Sequence, residues 1–505
     1  MLKFSLALGI FVLTLVFSGC GGGVSIGAGN NAQNAINDFL ASLPKVVWGA
    51  QIGSVTTPSG GDSSNLDGCM AVTGDDAGNI YCAGETHGSL GEATAGGPDA
   101  YLAKFNATGQ LEWLTQLGAV TKKTGRSNAG AETVKGITLD TAGNIYITGA
   151  TNGSMGEGNG GGYDIFVAKF TSTGALSNIF QLGDATRLFF GLSNAGDDTG
   201  YGIKVDASQN IFIGGSTTGS MGETNAGQTD VVLVKLNSAG VLQWIKQLGT
   251  TTVVAPGGYS NSSYDVCTGL AMNAAGDLYC GGYTASAMAD NPGGLYDMLI
   301  VKWSSAGVVQ MIKQLGRTNT FGANDNLGQD ICRSIAVDAD GYVYCGGSTT
   351  GNFGEARANS DGSWDIAVVK LSSVGNIEWA TQLGANTKLL FGNNAGSDNC
   401  YALTLDSGGN VYCAGATSGA LGETNAGSLD LVVVRLNSAG VLKSGIQLGA
   451  NTRLSGQDNS SMEFCSSVYA TGLDSVYCAG QTSGSQFEPN GGNNDAILTK
   501  LSLGK

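Results

Sequence analysis

The tripeptide Gln-Leu-Gly, once Gln-Ile-Gly, begins at residues 51, 116, 181, 247, 314, 382 and 447 of a 505-residue chain. The intervals run from 65 to 68 residues, so seven copies of one unit fill the chain from about residue 46 to its end. A period of this size points to a repeat architecture, in which each unit is a supersecondary element that cannot bury its apolar face alone. The second unit shows the pattern: VKGITLD, TAGN, IYITGAT, a Gly-rich loop, DIFVAKF, TSTG, then ALSNIFQLG. The apolar runs are short, β-branched and aromatic, and Gly, Asn, Asp and Ser bound them. That combination marks strands joined by turns. Four strands per unit, A to D in order, make an antiparallel meander.

Four-stranded units repeated radially build a β-propeller. The expectation is therefore all-β: a seven-bladed β-propeller of four-stranded antiparallel blades, over residues 46–505. The last unit stops after its C strand, DAILTKL (Asp495–Leu501), and KVVWGAQIG (Lys45–Gly53) matches the D strands LEWLTQLG and NIEWATQLG. The N-terminal strand would complete the last blade and close the ring without an open sheet edge. An open solenoid is the alternative, but it would want distinct capping repeats.

Each B strand carries an aromatic (Tyr81, Tyr146, Phe212, Tyr279, Tyr344, Tyr412, Tyr477), and Trp48, Trp113, Trp244 and Trp379 mark D strands. Core packing explains both sets better than ligand stacking. Every C strand has a cation near its end: Lys104, Lys169, Lys235, Lys302, Lys370, Arg435 and Lys500. An acidic partner on a neighbouring strand or blade is the expectation for each.

The first residues lie outside the repeat. Lys3 precedes an apolar run from Phe4 to Phe17, too short for a comfortable span, then Ser18-Gly19-Cys20. Small residues before a cysteine resemble a bacterial lipobox, although Phe17 stands where Leu is usual. The expectation is a lipoprotein signal peptide over residues 1–19, a lipid on Cys20 as the sole membrane attachment, and a tether over 20–45. GGGVSIGAGNN is Gly-rich and flexible, and AQNAINDFLASLP could form a short helix. An ordinary secreted protein with a spare cysteine is the alternative.

Units reading GNIYITGAT, DIFVAKF and QLG resemble the SBBP-type propeller repeats of bacterial lipoproteins. The A–B portion GITLDTAGNIYITG is also similar to NHL-type repeats. The resemblance covers nearly the whole chain beyond the tether. It implies a propeller and an exported bacterial protein, and little about activity, since fold does not fix function.

Ten further cysteines form five pairs, each thirteen residues apart: Cys69 with Cys82, Cys267 with Cys280, Cys332 with Cys345, Cys400 with Cys413, and Cys465 with Cys478. The first member opens strand A and the second lies in strand B, positions that can face each other in an antiparallel hairpin. Val134 with Ile147, and Gly200 with Ile213, replace the pair as a unit. Five disulfides are the expectation in an oxidising, exported location. Reduced core cysteines and a metal site are the alternatives. With a single histidine, His87, closed zinc sites are hard to build.

The balance of 24 Lys and Arg against 40 Asp and Glu, net −16, disfavours nucleic acid and a polybasic membrane mode. An acidic residue stands two before each first-cysteine position: Asp67, Glu132, Asp198, Asp265, Asp330, Asp398 and Glu463. With strand A innermost, these seven would ring the channel mouth on the face of the long B–C and D–A loops. They could hold Ca²⁺, brace the loops, or stay solvated and favour positively charged partners. The B–C loops add Glu92, Glu157, Glu223, Asp290, Glu355, Glu423 and Glu488, and end in Asp99, Asp164, Asp230, Asp297, Asp365, Asp430 and Asp495. The last set reads as loop caps. DADG (Asp338–Gly341) is a faint calcium-loop match that lacks the further ligands.

No metalloprotease, phosphate-loop or dinucleotide motif is present, and the lone Gly-x-Ser-x-Gly (Gly23–Gly27) lacks a strand–turn–helix context. The functional expectation is a monomeric, outer-membrane lipoprotein that acts as a non-catalytic scaffold for a protein or glycan through an acidic long-loop face. A carbohydrate-active enzyme with an asymmetric carboxylate pair on that face is the alternative.

Overall fold

A computed structural model describes residues 6–7, 10–11 and 43–504, the last range apart from the D–A loops 54–65, 119–129, 183–195, 250–263, 317–327, 385–395 and 450–461. It also leaves out parts of the B–C loops (92–93, 95, 226, 290–293, 354–362, 422–424, 426, 488–489 and 491–492). The chain divides into two compact units, Met1–Leu43 and Pro44–Lys505. In the first, two-residue strands Leu6–Ala7 and Ile10–Phe11 pair antiparallel, and Cys20 with residues 21–42 lies outside the described residues.

The second unit is seven four-stranded antiparallel sheets, each in the order A-B-C-D. Blade 1 runs through Asp67–Gly74, Ile80–Thr86, Asp99–Phe105 and Leu111–Leu117. Blade 5 runs through Asp330–Val337, Val343–Thr349, Asp365–Leu371 and Ile377–Leu383. In blade 7, strands Glu463–Thr471, Ser475–Thr482 and Asp495–Ser502 take their fourth strand from Lys45–Ile52. Val46 pairs with Leu501 and Ile52 with Ala496. The ring is closed as the sequence implies, and no helix occurs among the described residues.

Each A strand touches the A strands of both neighbours, blade 7 against blade 1 included, so the A strands wall a central channel. The core is divided between blades. In one layer Tyr477 and Leu498 of blade 7 pack on Cys69, Cys82 and Val72 of blade 1, and six equivalent layers complete the circle. Backbone bonds lock the layers at the long-loop end. Asp67 N–H donates to Asn494 C=O at 2.8 Å across the closure, and Asp330 N–H donates to Tyr296 C=O at 2.8 Å within the ring.

Every A strand carries a β-bulge at its fourth residue, where pairing skips from Cys69 to Ala71 in blade 1 and from Cys332 to Ser334 in blade 5. A bulge re-aims one side chain out of the ladder. The B strand accommodates it with glycine: a Cβ on Gly347 would stand 1.7 Å from the Ile331 carbonyl oxygen. The other six blades also have glycine there, Gly84, Gly149, Gly215, Gly282, Gly415 and Gly480, each meeting the equivalent carbonyl.

Candidate functional site

The repeated polar residues converge at the long-loop end of each blade. In blade 5 the Thr349 hydroxyl donates to Asp330 at 2.6 Å and accepts from Gly351 N–H at 2.9 Å. The Gln382 amide donates to the Gly351 carbonyl at 3.1 Å and to Asp365 at 2.7 Å, while its oxygen accepts from Phe353 N–H at 2.6 Å. One chain of hydrogen bonds therefore ties strands A, B, D and C to the start of the B–C loop. Blade 1 repeats it with Asp67, Thr86, Gly88, Gln116 and Asp99, and blade 7 with Glu463, Thr482, Gly484, Gln51 and Asp495. The four remaining blades keep the same links. The glycine of Gln-Leu-Gly follows from this latch, since a Cβ on Gly384 would lie 2.2 Å from the Asp365 carboxylate.

The seven A-strand carboxylates are therefore not a ring at the channel mouth. Asp67, Glu132, Asp198, Asp265, Asp330, Asp398 and Glu463 are at most 1% exposed, and none lines the channel. Each faces the threonine directly across the A–B ladder. Their spacing explains why: residue one of the strand shares a face with residue three, the buried cysteine position. Among the described residues, no three Asp, Glu, His or Cys come together as a metal site. The acidic long-loop face loses these seven, and the C-strand aspartates are turned onto the Gln amides. Of the B–C loop acids, Glu157 is half-buried and Glu223 exposed; Glu92, Asp290, Glu355, Glu423 and Glu488 lie outside the described residues.

Asp67 stands apart. Its Oδ2 is buried with no hydrogen-bond partner among the described residues. Burial pushes this carboxyl up, the Thr86 hydroxyl pulls it back, and nearby Asp495 adds to the rise, leaving it at about 7.

Five disulfides join the expected partners. Cys69 is bonded to Cys82, Cys267 to Cys280, Cys332 to Cys345, Cys400 to Cys413, and Cys465 to Cys478, with Cα separations of 5.6–5.8 Å. One detail of the expectation is corrected: the bonded cysteines do not face each other as ladder partners. Cys82 lies opposite Val72, Cys280 opposite Leu270, Cys345 opposite Ile335, Cys413 opposite Leu403 and Cys478 opposite Val468. The first cysteine of each pair lies opposite a B-strand glycine, as Cys332 does opposite Gly347. The bulge inserts one residue between the two positions, so each bridge crosses its hairpin diagonally.

The C-strand lysines share a partner beyond the expected acid. Lys169, Lys235, Lys302, Lys370 and Lys500 sit 5.0–5.3 Å over the aromatic ring paired with them on strand B, and Lys104 sits 5.8 Å over Tyr81. Lys104 and Lys302 also pair with Glu112 and Asp277. Arg435 departs, donating to the Gly504 carbonyl. In DADG, the Asp338 carboxylate is taken by Asp340 and Tyr342 N–H groups and the Tyr344 hydroxyl, an Asx-type turn.

What the repeat leaves variable is the bulge residue. In blades 1 to 7 it is Met70, Lys135, Tyr201, Thr268, Arg333, Tyr401 and Ser466, and all seven line a central cavity of about 780 Å³. Lys204, Phe464 and Tyr469 join them. The wall thus holds three cations and, among the described residues, no carboxylate. Arg333 lies 5.3 Å over the Tyr401 ring, and Tyr401 meets Phe464 edge-on at 6.2 Å. Tyr283, which acts electrostatically on Arg333, meets Tyr296 edge-on at 5.0 Å. Burial lowers the pKa of Arg333 against the pull of Tyr401 and Tyr283, and burial lowers that of Lys204. Lys135 has a counter-charge in Glu85, whose own carboxyl burial raises while Lys135 and His87 lower it. The signal that could have singled these residues out was present in the sequence, as the A-strand position whose chemistry changes from blade to blade.

The family model for the SBBP beta-propeller repeat matches residues 112–154, 311–354 and 378–423. A search of curated proteins returned no match. Among solved structures, the polysaccharide lyase Uly1 is 10% identical with TM-score 0.44, over 86% of this chain and 90% of that one. A PL25 ulvan lyase is 10% identical with TM-score 0.43, over 90% and 96%. A protein of unknown function from Dyadobacter fermentans is 10% identical with TM-score 0.40, over 91% and 99%. The chain is thus a seven-bladed β-propeller, three stretches of which match the SBBP repeat.

Proposed function

We propose that this propeller is a non-catalytic binding protein whose ligand enters the central channel, and that the ligand is a glycan. One observation carries the reading. The polar residues common to all blades are occupied in holding their own blade, whereas the channel wall carries a different residue in nearly every blade. A cavity of about 780 Å³ suits a short saccharide and is too small for the surface of a folded protein. Tyr401 and Phe464 give the wall an aromatic stretch suited to the C–H surface of a sugar. Lipid on Cys20 would hold the propeller at the outer membrane of a bacterial envelope; acyl labelling abolished by Cys20→Ser tests that part.

The test of the main reading is a glycan-array screen with the wild-type chain and a Ser466→Trp, Thr268→Trp variant that obstructs the channel from two sides of its wall. Binding lost in the variant, with the glycan recovered uncleaved, supports it. Binding that survives the plug contradicts a channel site, and product formation contradicts a non-catalytic role.

A further inference from the structure

We infer that the channel takes a carboxylate-bearing sugar, its carboxylate on the Arg333 guanidinium and a ring face against Tyr401. The inference rests on the channel reading above and narrows the ligand class.

The first observation is a reversal of charge. A chain of net −16 lines its central cavity with Lys135, Lys204 and Arg333 and, among the described residues, no carboxylate. The second is the state of Arg333. Its Nε is buried with no hydrogen-bond partner among the described residues, and its contact is the Tyr401 ring. A guanidinium whose Nε is buried without an acceptor is partly unsatisfied, and an incoming anion relieves that cost. The fold does not need the charge at that position, because blade 1 puts Met70 there and closes the same bulge. The planar fork of an arginine matches a carboxylate with two parallel N–H···O bonds.

The third observation selects the rest of the ligand. On the cavity wall Tyr401 lies against Arg333, and Phe464 meets Tyr401 edge-on beside it. A charged fork beside aromatic faces suits a molecule with both an anionic group and an apolar C–H face, as in a uronic acid. A phosphate ester, carrying nearly two charges, would want a second free cation beside Arg333. Lys135 already has Glu85 near it, and Lys204 lies at the seventh strand residue, toward the short-turn end.

The experiment is calorimetric titration of the full chain with tri-galacturonate, its methyl ester and neutral maltotriose. Tri-galacturonate should bind and weaken with added salt. The methyl ester, which keeps shape and loses charge, should bind about tenfold or more weakly. Arg333→Met should lose affinity by a similar factor with its melting temperature unchanged, and Arg333→Lys should recover part of it. Equal binding of acid and ester, or an Arg333→Met variant with wild-type affinity, overturns the inference. Neutral glycans that bind and are lost on Tyr401→Ala would overturn the acid preference while leaving the channel reading in place. Glycan binding insensitive to Arg333, Tyr401 and the plug of Ser466→Trp with Thr268→Trp would overturn both.

Discussion

The first and fourth residues of each A strand lie close together on one ladder and have opposite fates. Asp330 is fully buried, held by Thr349, and has a counterpart acid in every blade. Arg333 faces the channel, lacks an acidic partner among the described residues, and has no second arginine at the equivalent positions. The difference teaches how to read chemistry in a repeat. A residue present in every copy serves the copy, because the same local geometry recurs seven times. A residue present in one copy breaks the ring's symmetry, and recognition of an asymmetric molecule needs that break.

The contrast can be challenged from the structural side first. Gly347→Val should cause the largest loss, on the order of 4 kcal/mol or more, because its Cβ would meet the Ile331 carbonyl and no flexible side chain can move aside. Equilibrium urea unfolding would read it; a loss below about 1 kcal/mol would mean the bulge is dispensable. Gln382→Leu should cost roughly 2–4 kcal/mol by stripping buried hydrogen bonds from Asp365 and the B–C loop while leaving the channel wall intact. Replacing Cys332 and Cys345 with the Val and Ile that blade 2 uses should cost at most about 2–3 kcal/mol, since the bridge closes a hairpin already paired.

The smallest effect concerns pH. The folded state holds the Asp67 proton up to about pH 7, whereas the unfolded chain releases it near the ordinary carboxylate value. Stability contributed by neutral Asp67 is present at low pH and declines as pH rises across that window. Asp67→Asn should flatten the decline and gain on the order of 1–2 kcal/mol at pH 8 relative to wild type. Parallel melting curves of the two proteins between pH 5 and pH 8 would show the Asp67 reading to be wrong.

Much of the scaffold is visible in the residues. The Gln-Leu-Gly period marks the blades, Lys45–Ile52 announces the closure, and the paired presence of cysteines at thirteen-residue spacing marks the bridges. The offset of Cys280, Cys413 and Cys478 from their bonded partners was not legible, because a bulge leaves no mark in strand spacing. The carboxylates were harder to place. Asp67 and Cys69 share a strand face by period two, so an acid two residues before a buried cysteine turns inward with it. The one-residue offset of the bulge then decides which side chain reaches the channel. Lys370 illustrates a second limit. One of its two ring partners, Tyr344, is defined by the B–C register, which sequence spacing leaves open across a loop of variable length; the other is Tyr342. The Gln382 amide likewise bridges to Asp365 and Gly351 through a fold that only the closed blade brings together.

The most direct measurement is equilibrium unfolding, with tri-galacturonate titration in parallel, of a chain in which blades 1 and 5 exchange their bulge residues, Met70→Arg with Arg333→Met. The exchange keeps composition and charge and moves only the asymmetry. An unfolding free energy within about 0.5 kcal/mol of wild type, with affinity reduced, is the expected result. A loss as large as that of Gln382→Leu, or affinity unchanged by the exchange, would contradict the division between a repeated scaffold and a blade-specific channel.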